Sequence, residues 1–180
     1  MTKKTVYIIS GPAGVGKSTI SSILVRSLKK SAYISGDKIS HIPVNGREKP
    51  WLSEETLQLT WDNISSITSN LLNYDFVVVI DYVSFPDKVD WLAKSLLEEH
   101  DPDINYVVML ADEQTLRERD QRRPQDEQMG DRCAILLKEF EEFQIPDRYI
   151  IDNTHNNPSN IPEIVEEIRS NPRFVYNGWD

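Results

Sequence analysis

An apolar run that ends at Ser10 leads directly into Gly11-Pro12-Ala13-Gly14-Val15-Gly16-Lys17-Ser18, and apolar residues at helical spacing follow. This is the pattern GxxxxGK[ST], placed between a strand and a helix. Its glycines let the backbone curl so that several N–H groups point inward, and a helix beginning at Lys17 adds its positive N-terminal end. The stretch therefore predicts a loop that binds the phosphates of a nucleotide.

The residues of this loop have separate expected roles. Lys17 is expected to reach the β- and γ-phosphates, the Ser18 hydroxyl to bind Mg²⁺, and Thr19 to contact the α-phosphate. The backbone completes the cradle, with nucleotide contacts expected at Gly11, Ala13, Gly14, Val15 and Gly16. The expected ligand is thus a nucleoside triphosphate with magnesium.

Composition and charge narrow the class of protein. The 180 residues are 39% hydrophobic, which suits one globular domain over residues 1–180. A formal net charge of −9 disfavours nucleic-acid binding. With a single cysteine, Cys133, the chain can form neither an internal disulfide nor a zinc site made of cysteines. The apolar run 6–9 is too short to span a membrane. We expect a cytoplasmic protein without a membrane partner.

Apolar β-branched runs alternate with stretches of helical periodicity, which predicts an α/β protein with a parallel sheet. The strand candidates are Val6–Ser10, Ala32–Ser35, Phe76–Asp81, Asn105–Leu110 and Tyr149–Ile151. Two stretches lack periodicity, 40–52 and 120–131. The aromatic residues of the tail, Phe174, Tyr176 and Trp179, are expected to pack onto the domain, and His100 and His155 to lie at the surface.

Asp81 closes the apolar strand that begins at Phe76. A carboxylate at the carboxyl end of a buried strand can hold a magnesium-bound water beside the phosphate loop. The alternative is an aspartate that caps the strand end or a turn. We therefore expect Ser18 and Asp81 to form the magnesium site.

From Thr5 to about Ile168 the chain resembles the small P-loop phosphotransferases, a group that includes gluconate, shikimate and nucleoside monophosphate kinases and chloramphenicol phosphotransferases. The resemblance implies a P-loop NTPase fold with a five-stranded parallel sheet in the order 2-3-1-4-5, helices on both faces, and a short lid at about 120–131. It also implies a single kinase domain.

The resemblance assigns further site residues. Gly36-Asp37 stands where the family has an aspartate that faces the acceptor hydroxyl, so Asp37 is the implied catalytic base. Leu116-Arg117-Glu118-Arg119 followed by Arg123-Pro124 resembles the start of the family's lid. By that match Arg119 stacks on adenine and Arg123 covers the γ-phosphate, although a solvated helix face with ion pairs would also explain these arginines.

The loop 152–158, which ends at Pro158, resembles the segment that closes the adenine pocket. ATP is preferred over GTP because no Asn-Lys-x-Asp signature is present. Shikimate is disfavoured because Asp37 stands without a second aspartate two residues away. His41 and Pro43 after Gly36-Asp37 are similar to gluconate kinases, with altered spacing.

The expected function is transfer of the ATP γ-phosphoryl group to a hydroxyl of a small molecule by a monomer or homodimer. Residues 40–52 would shape the acceptor site through His41, Arg47, Lys49 and Trp51, unless they form a surface turn. Two alternatives stay open, a nucleotide switch that hydrolyses ATP slowly without an acceptor and an antibiotic-modifying phosphotransferase. The lone Asp37 favours a kinase over a switch, since a switch needs no base facing an acceptor.

Overall fold

The computed structural model describes residues 3–178, and its centre is one parallel sheet of five strands in the order β2-β3-β1-β4-β5. The strands are β1 (Thr5–Ser10), β2 (Ser31–Ser35), β3 (Val77–Asp81), β4 (Asp103–Leu110) and β5 (Ile150–Asp152). The predicted fold class and strand order are confirmed. The predicted strand ends differ from the observed ones by at most two residues, because strand ends carry no sharp sequence signal.

Seven α-helices connect and cover these strands within the described residues. They are α1 (Lys17–Ser27), α2 (Gly36–Ser40), α3 (Glu54–Asn73), α4 (Pro86–Leu97), α5 (Glu113–Gln121), α6 (Arg132–Glu142) and α7 (Ile161–Ser170). Local interactions explain where two of these helices begin. The Ser53 side chain accepts a hydrogen bond from the Thr56 N–H at the start of α3, and Pro86 occupies the first turn of α4.

The core consists of two apolar layers, one on each face of the sheet. Ile8 and Ile80 face one layer with Trp61 and Leu92, which come from α3 and α4. The side chains at the alternate positions of these strands face the other layer, where α1 and α7 contribute Ile20, Leu24, Ile164 and Val165. Side chains alternate between the faces of a strand, so strands covered on both faces are apolar throughout.

The strand register places the candidate site at the carboxyl edge of the sheet. Asp81 is paired in register with Ile9 of β1 on one side and with Ser35 of β2 on the other. The phosphate loop follows β1, and Asp37 follows β2. Three segments with predicted chemistry therefore start from neighbouring strand ends, where open α/β folds bind ligands.

The carboxyl-terminal tail packs onto the sheet, as predicted for Phe174 and Tyr176. Phe174 is fully buried, and the Tyr176 N–H donates to the Ile104 carbonyl at 2.7 Å. Val175 forms an antiparallel bridge with Asn105. Trp179 lies outside the described residues.

The prediction that His100 lies at the surface is wrong, whereas His155 is exposed as expected. The His100 side chain is only 2% exposed, and its two ring nitrogens lie 3.1 Å from Lys4 Nζ and 2.8 Å from Ser69 Oγ. Leu97 follows Val89 and Ala93 at helical spacing, which predicts burial, but it is 52% exposed because it is the last residue of α4. Among the helices of residues 3–178, none has the length and apolar character needed to cross a membrane.

Candidate active site

The phosphate loop has a backbone shape that only glycine allows at two positions. Gly11 has φ +136°, and a Cβ atom there would lie 2.1 Å from the Met109 carbonyl oxygen. Gly16 precedes α1 at φ +104° and has no side chain that could cap the helix. The first N–H groups of α1 therefore stay available to an anion, as the GxxxxGK[ST] pattern predicts.

Lys17 extends across the mouth of this loop. Its Nζ donates to the carbonyl oxygens of Gly11 at 2.8 Å and Pro12 at 2.9 Å. Burial lowers the pKa of the Lys17 ammonium, and the Asp81 and Asp37 carboxylates oppose part of this effect. The ammonium group therefore lies between the loop and two carboxylates.

A cavity of about 390 Å³ opens beside the loop and brings together most of the predicted nucleotide residues. Its lining includes the predicted residues Gly14, Gly16, Lys17, Ser18, Thr19, Arg119, Arg123 and Pro158. Ala13 and Val15 do not line it, because their side chains are buried in the core under the loop. Only their backbone groups could contact a nucleotide, and the same holds for Gly11.

Arg119 of α5 holds the loop that follows β5. Its Nη2 donates to the carbonyl oxygens of Asn153 at 2.9 Å, Thr154 at 3.4 Å and Asn156 at 3.4 Å. The guanidinium group is therefore fixed in the cavity wall. Stacking of Arg119 on adenine stays a prediction.

Asn153 is a site residue that sequence reasoning did not single out. Its buried side-chain amide donates to the Val15 carbonyl at 2.6 Å, and its N–H donates to the Leu110 carbonyl at 2.7 Å. These bonds attach the wall of the cavity to the phosphate loop. Its neighbours Asn156 and Asn157 also line the cavity, so the asparagine-rich run after β5 was the available signal.

The segment predicted as the lid is attached to the protein by Asp120. This residue is 3% exposed, and its carboxylate accepts hydrogen bonds from the N–H of Met129 at 3.0 Å and Gly130 at 2.8 Å. Arg123 Nη1 lies 3.7 Å from the same carboxylate and donates to the Glu127 carbonyl at 3.3 Å. Asp120 is thus a buried anchor, and Arg123 lies between it and the cavity.

Asp37 lies in the first turn of α2, and another residue performs the local capping role. The Ser35 side chain accepts the Lys38 N–H at 3.4 Å, whereas none of the hydrogen bonds within residues 3–178 involves the Asp37 carboxylate. Gly36 fits here because its backbone contacts the Tyr82 ring, where a Cβ atom would lie 2.2 Å from Cγ. This contact fixes the backbone that carries Asp37.

The Asp37 carboxylate sits among charged groups of the cleft. Asp37 is an exposed residue, but the protein around the carboxylate removes part of its water. Burial raises the pKa of Asp37, the Lys17 ammonium opposes this shift, and the negative charge of Asp81 adds to it. Asp37, Lys17 and Asp81 are therefore close enough to act on one another.

Asp81 is 5% exposed and accepts a hydrogen bond from the Tyr33 hydroxyl at 2.7 Å. The Ser18 hydroxyl also interacts with the Tyr33 hydroxyl, so one group is within reach of both predicted metal residues. Hydroxyl and carboxylate oxygens are ligands that Mg²⁺ prefers. Within residues 3–178 no cluster of three or more acidic, histidine or cysteine residues could hold a metal ion.

The candidate acceptor loop at 40–52 joins α2 to α3 and contacts α6. Arg47 Nε donates to the Ser40 carbonyl at 2.7 Å, which closes the loop onto the end of α2. The Trp51 ring centroid lies 5.4 Å from Lys49 Nζ and 5.6 Å from Arg132 Cζ, the first residue of α6. His41 Nδ1 donates to the Asp37 carbonyl at 2.6 Å. The structure thus brings His41 next to Asp37, and Trp51 next to the segment after the predicted lid.

Comparison with protein families gives a match over most of the chain. A family model described as an AAA domain matches residues 6–144. No curated protein matches the chain.

Solved structures share the fold at low sequence identity. A gluconokinase from Sinorhizobium meliloti 1021 is 20% identical with a TM-score of 0.63, over 93% of this chain and 91% of that one. The tunicamycin resistance protein of Deinococcus radiodurans is 16% identical with a TM-score of 0.64, over 93% and 95%. The APS kinase of Mycobacterium tuberculosis, solved with AMPPNP and APS, is 19% identical with a TM-score of 0.57, over 93% and 96%. The chain therefore has the fold of P-loop kinases, a fold shared by proteins named for different substrates.

Proposed function

The chain belongs to the AAA-domain family, and we propose that it is a kinase that transfers the γ-phosphoryl group of ATP to a hydroxyl of a small molecule. The observation that carries this proposal is the Asp37 carboxylate beside the phosphate loop. It accepts no hydrogen bond from the described residues, and it interacts with both Lys17 and Asp81. A carboxylate that accepts no hydrogen bond from the protein and lies beside the lysine of the phosphate loop is suited to an acceptor hydroxyl.

In this proposal the cavity beside the phosphate loop binds ATP. The N–H groups at the start of α1 and the loop backbone bind the phosphates, Lys17 meets the β- and γ-phosphates, and Thr19 meets the α-phosphate. The adenine ring lies between Arg119 and the loop that ends at Pro158. The similar APS kinase of Mycobacterium tuberculosis was solved with AMPPNP, which supports nucleotide binding by a protein of this fold.

Ser18 and Asp81 would hold magnesium, Ser18 directly and Asp81 through a bound water. A magnesium ion bound there supplies positive charge that offsets the charge of the phosphates. The reaction would consume ATP, so we place it in the cytoplasm.

Phosphoryl transfer then needs few protein groups. The acceptor oxygen forms a bond to the γ-phosphorus, the bond from this phosphorus to the β,γ-bridging oxygen breaks, and ADP leaves with that electron pair. Asp37 orients the acceptor hydroxyl and takes its proton. Lys17 and Arg123 stabilise the negative charge on the transferring group, so catalysis is mainly positioning and charge neutralisation.

The acceptor would lie between Asp37 and the loop 40–52. His41 and Arg47 are attached to α2, next to Asp37, and offer an imidazole nitrogen and guanidinium N–H donors to a polar acceptor. This arrangement supports a gluconate kinase-like reaction. An antibiotic hydroxyl could be phosphorylated by the same groups, as the similarity to the tunicamycin resistance protein suggests.

Acceptor-dependent release of ADP tests the proposal. Purified protein with Mg²⁺ and ATP would be screened against sugars, sugar acids, nucleosides and antibiotics. We expect at least one acceptor to raise ADP release well above the basal rate, and Asp37→Asn to remove that increase. Slow ATP hydrolysis that no acceptor stimulates and that Asp37→Asn leaves unchanged would instead indicate a nucleotide switch.

A further inference from the structure

Tyr33 makes a contact that the reaction described above does not use. It lies on the edge strand β2, and its hydroxyl reaches over to Asp81 at the end of β3, where it donates to Oδ2 at 2.7 Å. Tyr33 is 39% exposed, whereas Asp81 is 5% exposed. The half-exposed Tyr33 side chain therefore donates a hydrogen bond to the buried Asp81 carboxylate.

The Asp81 carboxylate has no second hydrogen-bond donor among the residues that the structure describes. A carboxylate can otherwise rotate about its two side-chain torsions and present either oxygen. The bond from Tyr33 engages Oδ2 and leaves Oδ1 to interact with another group. Among the described residues, the Tyr33 hydroxyl is therefore the hydrogen-bond donor that can fix the orientation of the Asp81 carboxylate.

The Tyr33 hydroxyl also interacts with Ser18, so it lies near both side chains assigned to magnesium. Residues that hydrogen-bond a metal ligand fix its orientation, and they affect metal affinity without touching the ion. We propose that Tyr33 is a positioning residue of the magnesium site, which orients the Asp81 carboxylate toward the metal-bound water. This inference rests on the proposed function, because that function assigns the metal to Ser18 and Asp81.

The hydroxyl oxygen of Tyr33 separates a positioning role from a packing role, because only the hydroxyl group can donate a hydrogen bond to Asp81. A plain packing role would need the ring of Tyr33 but not its oxygen.

Tyr33→Phe removes only this oxygen, and metal affinity is the property to measure. Mn²⁺ would replace Mg²⁺ and be titrated by electron paramagnetic resonance in the presence of a nonhydrolysable ATP analogue. We expect Mn²⁺ to bind about 10–100-fold more weakly to Tyr33→Phe, the usual effect of removing a group that supports a metal ligand. Binding of the analogue in EDTA should not change. Tyr74→Phe is the matched control, since that ring is 73% exposed.

Asp81→Asn distinguishes a failure of the positioning role of Tyr33 from a failure of the metal role of Asp81. If Asp81→Asn weakens Mn²⁺ binding and Tyr33→Phe does not, the role of Tyr33 is refuted and the metal role of Asp81 stands. If neither variant changes Mn²⁺ affinity, Asp81 does not serve the metal and both assignments are refuted. Equal losses of analogue affinity with and without metal in Tyr33→Phe would also refute the proposal. A double variant that binds Mn²⁺ as weakly as Asp81→Asn alone would support it, because Tyr33 would then act only through Asp81.

Discussion

Asp37→Asn should reduce acceptor phosphorylation while leaving ATP binding nearly unchanged. Asparagine keeps the shape of the side chain and removes its charge and basicity. The turn itself should not suffer, because Ser35 and not Asp37 caps α2. The variant therefore isolates the chemical role of the carboxylate.

The size of the loss follows from the nature of the reaction. General-base assistance contributes about 10²–10⁴-fold in rate. Phosphoryl transfer has a loose transition state with little bonding to the nucleophile, so the acceptor proton leaves late and the lower part of the range applies. We expect kcat to fall about 10²–10³-fold. The Kd for ATP should stay within about threefold, since the P-loop and Lys17 hold the phosphates.

The same variant should be more stable at neutral pH. Burial and Asp81 raise the pKa of Asp37 above its value in the unfolded chain. The folded state then binds more protons than the unfolded state between the two pKa values, so this group's contribution to stability is lost as pH rises through the folded pKa. At neutral pH Asp37 is ionised at a cost to the folded state, and asparagine removes that cost. The Tm of Asp37→Asn should exceed that of the parent at pH 7, and this difference should shrink as the pH approaches 4.

Three measurements complete the assay. ADP release at saturating acceptor gives kcat, calorimetric titration gives the ATP Kd, and thermal unfolding at several pH values gives the stability. Ser53→Ala, which removes the cap of α3, is the control, because losing a helix cap costs about 0.5–2 kcal/mol of stability and should leave the chemical step intact. An Asp37→Asn enzyme with full acceptor-dependent turnover would refute the reasoning and leave the proposed kinase without its base.

Other substitutions test the nucleotide site and the predicted lid. Lys17→Ala should abolish most of the rise in Tm caused by ATP with magnesium, since a ligand stabilises only the state that binds it; an unchanged rise would place the triphosphate elsewhere. Arg119→Ala should raise the ATP Kd by up to roughly thirtyfold, from a stacking term of about 0.5–2 kcal/mol, and should weaken free triphosphate less. Equal losses for the two ligands would assign Arg119 to the phosphates. Asp120→Asn should lower the free energy of unfolding by about 1–3 kcal/mol, because a buried N–H would face the amide NH₂ group. Asp131→Asn, on an exposed carboxylate paired with Arg117, is the control and should cost at most about 1 kcal/mol; similar losses in both variants would show that Asp120 is not an anchor.

Local patterns in the sequence were enough to predict the sheet and the phosphate loop. Solidly apolar strands such as 77–80 indicate burial on both faces, and a left-handed glycine before Lys17 is part of the GxxxxGK[ST] pattern itself. The motif needs only neighbours in sequence, because its chemistry lies in consecutive backbone groups. This is why the start of α1 at Lys17 could be predicted to the residue.

The contacts that complete the site were not predictable in this way. Asn153 reaches a carbonyl that is 138 positions away, and the Tyr33–Asp81 bond spans 48 positions. Asp120 was grouped with a charged, nonperiodic stretch, yet its burial depends on two N–H groups that return to it nine and ten residues later. Such partners meet only after the chain has folded, so their residue types carry no local signal.

The order of the strands divides the cleft into two walls that can change independently. β1 lies at the centre, the cavity wall built by Arg119 and Asn153 belongs to the side of β4 and β5, and Asp37 with the loop 40–52 belongs to the side of β2 and β3. In the proposed kinase, substitutions at the exposed positions of the loop, away from the contact of Trp51 with Arg132, can therefore alter the acceptor without disturbing ATP or the core. This separation makes the fold evolvable, and it makes residues 40–52 the place where laboratory selection for a new acceptor should begin.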